Sequence, residues 1–166
     1  MPVTDQGINF DRYMLVPRTL IFLMRGSSIL LLKGAETKRL WAGLYNGIGG
    51  HIEQGEDILN AARRELFEET GLLSPDMQLC GILTIDTQIN PGVGIFIFCG
   101  HCPDGQTAAS KEGILEWVGT AEIGSLPLVS DLPQLLPKIL GYTPGSPPFF
   151  AHSSYDQSGT LVISFA

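Results

Sequence analysis

The stretch from Gly50 to Leu72 constrains this chain more than any other. Gly50 is followed after five residues by Glu56, and after seven more by Arg64-Glu65-Leu66-Phe67-Glu68-Glu69-Thr70-Gly71-Leu72. Residues 57–70 read as one helix with both ends marked. Asp57 suits the N-cap, where its carboxylate accepts from orphan backbone N–H groups at the positive end of the helix dipole. Gly71 suits the left-handed position past the last turn, and Leu72 the apolar contact that accompanies such a cap. Ile58, Leu59, Ala62 and Leu66 recur at helical spacing and form one apolar stripe. Ala61 and Phe67 fall outside it, as residues that are small or half-exposed.

The stripe also places the acidic residues. Glu65 and Glu69 are four apart and share a face, with Glu68 three residues from Glu65. At ~100° per residue, Glu69 falls inside the edge of the stripe and Glu65 at its margin. Carboxylates crowded and partly desolvated there repel one another unless a cation compensates. A hard divalent ion with oxygen ligands, Mg²⁺ above all with Mn²⁺ as a substitute, is the natural compensation. An isolated E-x-x-E-E run would read instead as a solvated acidic face, with Arg64 and Glu68 an ordinary i,i+4 pair. The fixed spacing to Gly50 and Glu56 turns the reading toward a metal site.

A chain of 166 residues is one domain with enough interior to need no staples. Charged residues make up 16% and hydrophobic ones 44%, which excludes a disordered chain. The net charge of −7 argues against a general binder of nucleic-acid polymer or anionic membrane, since no basic stripe exists to collect phosphates. A small nucleotide remains compatible, because a metal ion can supply the local positive charge. Lys33, Lys38 and Arg39 are the cations nearest the signature, and read equally as phosphate contacts or as solvated side chains. Residues 1–11 lack the features of a signal peptide and no apolar run reaches membrane-spanning length, so a cytoplasmic protein is expected. Cys80, Cys99 and Cys102 form no disulfide framework, which suits a reducing compartment. Cys99-Gly100-His101-Cys102 has the form of a redox motif, but it ends an apolar strand rather than opening a helix that would lower a thiol pKa. It is read as packing.

Apolar runs at 19–24 and 29–33 flank a hairpin signal at Arg25-Gly26-Ser27-Ser28. Residues 35–50 are mostly loop. Further strands are expected at 79–87, 93–99 and 115–118, with turns at Asn90-Pro91-Gly92 and Pro103-Asp104-Gly105. Residues 131–140 are a second helical candidate that Pro137 would kink or interrupt. Residues 149–165 form a terminal hairpin about Asp156-Gln157-Ser158-Gly159, and residues 1–17 an N-terminal extension.

The Gly50–Leu72 spacing meets every position of G-x5-E-x7-R-E-U-x-E-E-x-G-U, with U aliphatic. In this the chain resembles the Nudix hydrolases, which cleave a diphosphate linked to another moiety. The resemblance implies a single α/β domain, an α/β/α sandwich with a mixed central sheet. It implies that Glu56 and Arg64 position the glutamates while Glu65, Glu68 and Glu69 hold divalent metal around the diphosphate. Glu65 resembles the base of MutT-type members. Gly49, and Glu112 in the place of a distal glutamate, are the further metal ligands implied. Glu112 reads equally as a solvated loop carboxylate. Gly49, Gly50 and Gly71 are also turn and cap residues in their own right.

Within the family, Ala42 to Gly50 is similar to the W-N-G-x-G-G run of oxidised-purine nucleoside triphosphatases, with Tyr45 in place of tryptophan. That likeness makes Asn46 a base contact, since an amide offers donor and acceptor, although Asn-Gly is also a plain turn. Asp131 falls where those enzymes carry two acidic base-reading residues, of which this chain has one. The expected activity is divalent-metal-dependent hydrolysis of a nucleoside triphosphate, such as 8-oxo-dGTP, to monophosphate and pyrophosphate. Substrate contacts are expected from Asn46, Gly50, Asp131 and Lys33. An ADP-ribose pyrophosphatase is the rival enzyme, but its marker proline is absent and Pro91 lies too far on. A Nudix-fold sensor is the non-enzymatic rival, and such modules usually lose the carboxylates retained here.

Overall fold

Alternation along the first two strands decides the layering. In the computed structural model, which describes residues 3–37, 39–74, 76–102, 106–107, 110 and 112–166, β1 (Leu15–Arg25) turns back into β2 (Ser28–Gly34) with Met24 opposite Ile29. Gly26 takes a φ of 56°, which a two-residue hairpin turn requires and glycine adopts without strain. Successive strand side chains point to opposite faces. Leu20, Phe22, Ile29 and Leu31 therefore enter one buried cluster, while Ile21, Leu23 and Leu30 enter another. A sheet apolar on both faces needs a cover on each. α1 (Ile58–Thr70) covers one through Ala62 and Leu66, and α2 (Leu132–Leu140) the other through Leu132, Leu135, Leu136 and Ile139.

The remaining strands are β3 (Tyr45–Asn46), β4 (Gln78–Ile85), β5 (Gly92–His101), β6 (Gly113–Gly119), β7 (Phe149–Tyr155) and β8 (Leu161–Phe165). They lie in the order β3-β2-β1-β5-β4-β7-β8, with β6 also paired to β2. β1 runs parallel to β5 and β4 parallel to β7, and the other pairings are antiparallel. This is the mixed-sheet α/β/α sandwich anticipated above. The first strand begins at Leu15, inside the stretch read as an extension, because its register with β5 continues to Leu15 opposite Gly92. Lys38 and the Pro103-Asp104-Gly105 turn lie outside the described residues. None of the described helices is long and apolar enough to cross a membrane.

Both caps of α1 form as expected. Asp57 accepts from the Leu59 and Asn60 amides at 3.0 and 2.9 Å. Gly71 adopts φ 71° and donates to the Phe67 carbonyl at 2.8 Å, while Leu72 is buried in the α1-side cluster. Ala61, outside the stripe, is fully buried, and its small size does not break the packing. Nor does Pro137 interrupt α2. The proline forfeits one helical hydrogen bond, but four of the nine residues are buried, at about 1.5–3 kcal/mol for each large apolar side chain.

The Cys99–Cys102 segment is strand through His101, as the packing reading requires. The Cys99 thiol is pushed well above its ordinary pKa, first by hydrogen bonding with Cys80 and then by burial, so thiolate chemistry is disfavoured there.

Adjacent residues on α1 test this packing. Leu66→Ala is expected to lower the unfolding free energy by about 2–5 kcal/mol in urea denaturation, since Leu66 is 1% exposed. Phe67→Ala, at a side chain 56% exposed, should stay within about 0.5 kcal/mol of the parent.

Candidate active site

Arg64 organises the region between the helix and the loop before it. Its guanidinium grips Glu56 with both arms, Nε to Oε1 at 2.6 Å and Nη2 to Oε2 at 2.9 Å. The same group donates to Glu65 at 2.8 Å, to Glu68 at 3.2 Å and to the His51 carbonyl at 3.1 Å. Glu56 also accepts from the Glu53 amide at 3.1 Å, closing the loop on itself. A planar fork with five donors can serve several acceptors at once, which an ammonium cannot do with the same geometry. The i,i+4 pairing with Glu68 is thus the weakest part of a larger clamp.

The glycines ahead of the helix bring backbone against carboxylate. A side-chain carbon on Gly50 would stand 2.5 Å from Glu65 Oε1, and one on Gly49, whose φ is 149°, would strike the Thr19 carbonyl. Gly50 and Thr19 are joined by a backbone hydrogen bond of 2.9 Å, so the loop pairs with β1. Glu69 is 9% exposed and Glu65 half-buried, as their angles on the helix require, whereas Glu68 turns outward to Arg64.

These elements border a cavity of about 550 Å³, a size suited to a nucleotide-sized ligand. Seven of the residues singled out from sequence line it: Asn46, Gly49, Gly50, Glu65, Glu69, Glu112 and Asp131. Glu56, Arg64 and Glu68 stand behind or beside it. Lys33 lies apart from these seven. Its ammonium sits 5.7 Å over the Tyr45 ring and does not line the cavity. Tyr45 is itself a core residue, 6% exposed, with its hydroxyl donating to Glu116 at 2.9 Å. Asn46 Oδ1 accepts from the Gly47 amide at 2.8 Å, so the turn role is realised and the amide nitrogen is what remains for a ligand. Sequence reasoning missed Arg18, Thr19, Trp41 and Ser153, which also line the cavity. Arg18 had a visible signal, a charge at the start of an apolar strand.

Among the described residues no three His, Cys, Asp or Glu side chains stand grouped as a ready metal cage. The donor set nevertheless fits a hard divalent ion. Glu65 and Glu69 reach one cavity beside the Gly49–Gly50 backbone, all oxygen donors, and Mg²⁺ is commonly held by one or two carboxylates together with substrate phosphates and water.

Two carboxyls are shifted in opposite directions, with opposite consequences for stability. The Arg64 guanidinium beside Glu56 holds its carboxyl down at about 2 from 4.5. The folded state then releases this proton more readily than the unfolded one, so the stabilisation is present above pH 4.5 and is lost as pH falls toward about 2. Burial pushes the Asp131 carboxyl above its ordinary 3.8. There the folded state holds the proton more tightly, and stability declines as pH rises from 3.8 through the raised value. In urea titrations across pH, Glu56→Gln should lessen the acid-side loss, to which Asp57, Asp76 and Asp156 also contribute, and Asp131→Asn should lessen the decline on the other side.

Comparison with known proteins agrees with this geometry. The NUDIX domain family matches residues 14–139, well over half of the chain. An oxidized purine nucleoside triphosphate hydrolase of Mus musculus is 26% identical over 145 residues, covering 87% of this chain and 89% of the relative. A protein of the same description from Danio rerio is 32% identical over 103 residues, covering 60% of this chain and 63% of the relative. A MutT protein from Bacillus halodurans has the same fold, with a TM-score of 0.74 at 24% identity over 91% of this chain and 97% of that one. With its signature intact and the glutamate helix set against the Gly49–Gly50 turn, this chain belongs to the Nudix hydrolase family.

Proposed function

We propose that the protein hydrolyses a purine nucleoside triphosphate to its monophosphate and pyrophosphate, with oxidised purines as the preferred bases and Mg²⁺ as the metal. The observation that carries this reading is the composition of the cavity. Its lining joins Glu65 and Glu69 beside Gly50, which suit phosphates, to Asn46, Asp131 and apolar side chains, which suit a base. The two relatives named for oxidised purine hydrolysis support the choice of substrate.

When bound, a divalent ion supplies charge neutralisation on the phosphate oxygens and a lowered pKa for attacking water. The protein's own residues supply position. Arg64 fixes Glu65 against Gly50, where its carboxylate can orient a water and take its proton as the oxygen attacks phosphorus. The anhydride bond to the departing pyrophosphate breaks as the new P–O bond forms. Glu69 and Glu65 would hold the metal, with the Gly49 carbonyl and Glu112 as further oxygen donors from the cavity wall. Glu68 at the rim keeps Arg64 engaged. Asn46 offers its amide N–H to the base. Asp131 offers its carboxyl oxygens there, and burial raises that carboxyl above its ordinary pKa.

A turnover screen tests the reading. Normal and 8-oxo purine triphosphates, ADP-ribose and dinucleoside polyphosphates are compared with product analysis, with and without Mg²⁺. Pyrophosphate release from 8-oxo purine triphosphates should dominate, stop on chelation, and fall about 10²- to 10⁴-fold in Glu65→Gln with ligand binding retained. Comparable rates on ADP-ribose with no pyrophosphate from any triphosphate would sink the proposal.

A further inference from the structure

The reading of the cavity as a nucleotide site leaves one charged residue unexplained. Arg18 lines the cavity, and its Nε is buried with no hydrogen-bond partner among the described residues. A buried donor without an acceptor is costly unless a ligand supplies one. It is also the one lysine or arginine among the described residues lining a cavity that holds Glu53, Glu65, Glu69, Glu112 and Asp131. Charge alone would aim it at phosphate. The register of the sheet aims it elsewhere.

Thr19 and Arg18 are consecutive on β1, so their side chains point to opposite faces. Arg18 shares the face of Leu20 and Phe22, which is the α2 side, and is paired with Ile95 on β5. Beyond Ile95 on that face lie Val93 and Ile85, half-buried side chains that line the cavity. Past them, on β7, stands Ser153, paired with Ile85, its Oγ likewise buried without a partner among the described residues. β1, β5, β4 and β7 are neighbours in that order, so β1 and β7 are about 14 Å apart at the usual strand spacing. The result is an apolar floor two strands wide, bounded by a guanidinium on one side and a hydroxyl on the other. A flat heterocycle has this polarity, with apolar faces and polar edges.

We infer that Arg18 is a specificity-determining residue that reads the base: a purine lies on the Ile85, Val93 and Ile95 floor, and the Arg18 guanidinium donates to the carbonyl-bearing edge of its ring. On guanine such a fork meets the O6 and N7 acceptors together, and on the 8-oxo form, whose N7 carries a hydrogen, it donates to O6. The glutamates meet β1 at Thr19, whose amide donates to Gly50 and whose side chain faces the α1 side, so phosphates held there lie across the strand from the Arg18 side chain. Ser153 marks the far edge of the same floor.

Equilibrium binding of monophosphates tests this without turnover. Calorimetry compares guanosine 5′-monophosphate, its 8-oxo form and purine riboside 5′-monophosphate, which lacks the ring carbonyl, on the parent, Arg18→Met and Arg18→Lys. Arg18→Met should weaken the two carbonyl-bearing nucleotides about ten- to hundred-fold and the purine riboside less than about threefold. Arg18→Lys keeps the charge and stem but not the fork, and should show the same selectivity at no less than about fivefold; it carries the test if Arg18→Met fails to fold. An equal loss for all three nucleotides would assign Arg18 to the phosphate and overturn the inference, as would no loss for any. If the parent protein binds none of the three, the nucleotide reading itself falls and takes this inference with it.

Discussion

Everything in the glutamate-lined end of the cavity depends on one guanidinium. Arg64 holds both oxygens of Glu56, one of Glu65, one of Glu68 and the His51 carbonyl, and so ties the loop of residues 51–56 to the helix that follows it. Without that charge, carboxylates would face one another across a half-buried surface with nothing to balance them, a cost that scales steeply with desolvation. The clamp also explains why Gly50 must be bare. The loop is drawn so close to α1 that Glu65 occupies the space a side chain would need.

The sheet supplies the second constraint. Because both faces are apolar, helices must cover both, and α2 is only nine residues long. Val129, Ser130 and Asp131, just before it, line the cavity together with Ile85, Val93 and Ile95. Half-buried Ile85, Val93 and Ile95 would be a liability in a surface with no ligand, and Arg18 and Ser153 would be unexplained costs. Together they make sense as one surface kept open for an apolar ring with polar edges.

What the sequence made legible follows the range of the interactions. The caps of α1, the hairpin at Gly26 and the burial of Glu69 depend on residues within a few positions of one another, and each was readable from local spacing. The inward or outward turn of Glu68 was not, since Arg64 serves several carboxylates and no pattern ranks them. Lys33 looked available to phosphate because proximity in sequence says nothing about which face of β2 it occupies; it packs over Tyr45 instead. Pro137 suggested a break that the buried leucines of α2 overrode. Arg18 and Ser153 needed the parallel pairings of β1 with β5 and β4 with β7, which join segments far apart along the chain and leave no local trace.

The two ends of the cavity are drawn from different stretches of the polypeptide. The acidic end comes mainly from the turn and helix of residues 49–69, whereas the floor and its far edge come from residues 85–95 and from the closing hairpin, Ser153, Tyr155 and Leu161. A change in the closing hairpin therefore alters what the site can admit while leaving the anhydride-cleaving apparatus intact. Such separation lets one reaction be redirected among related molecules by drift in a few late residues, with no intermediate that has lost its chemistry.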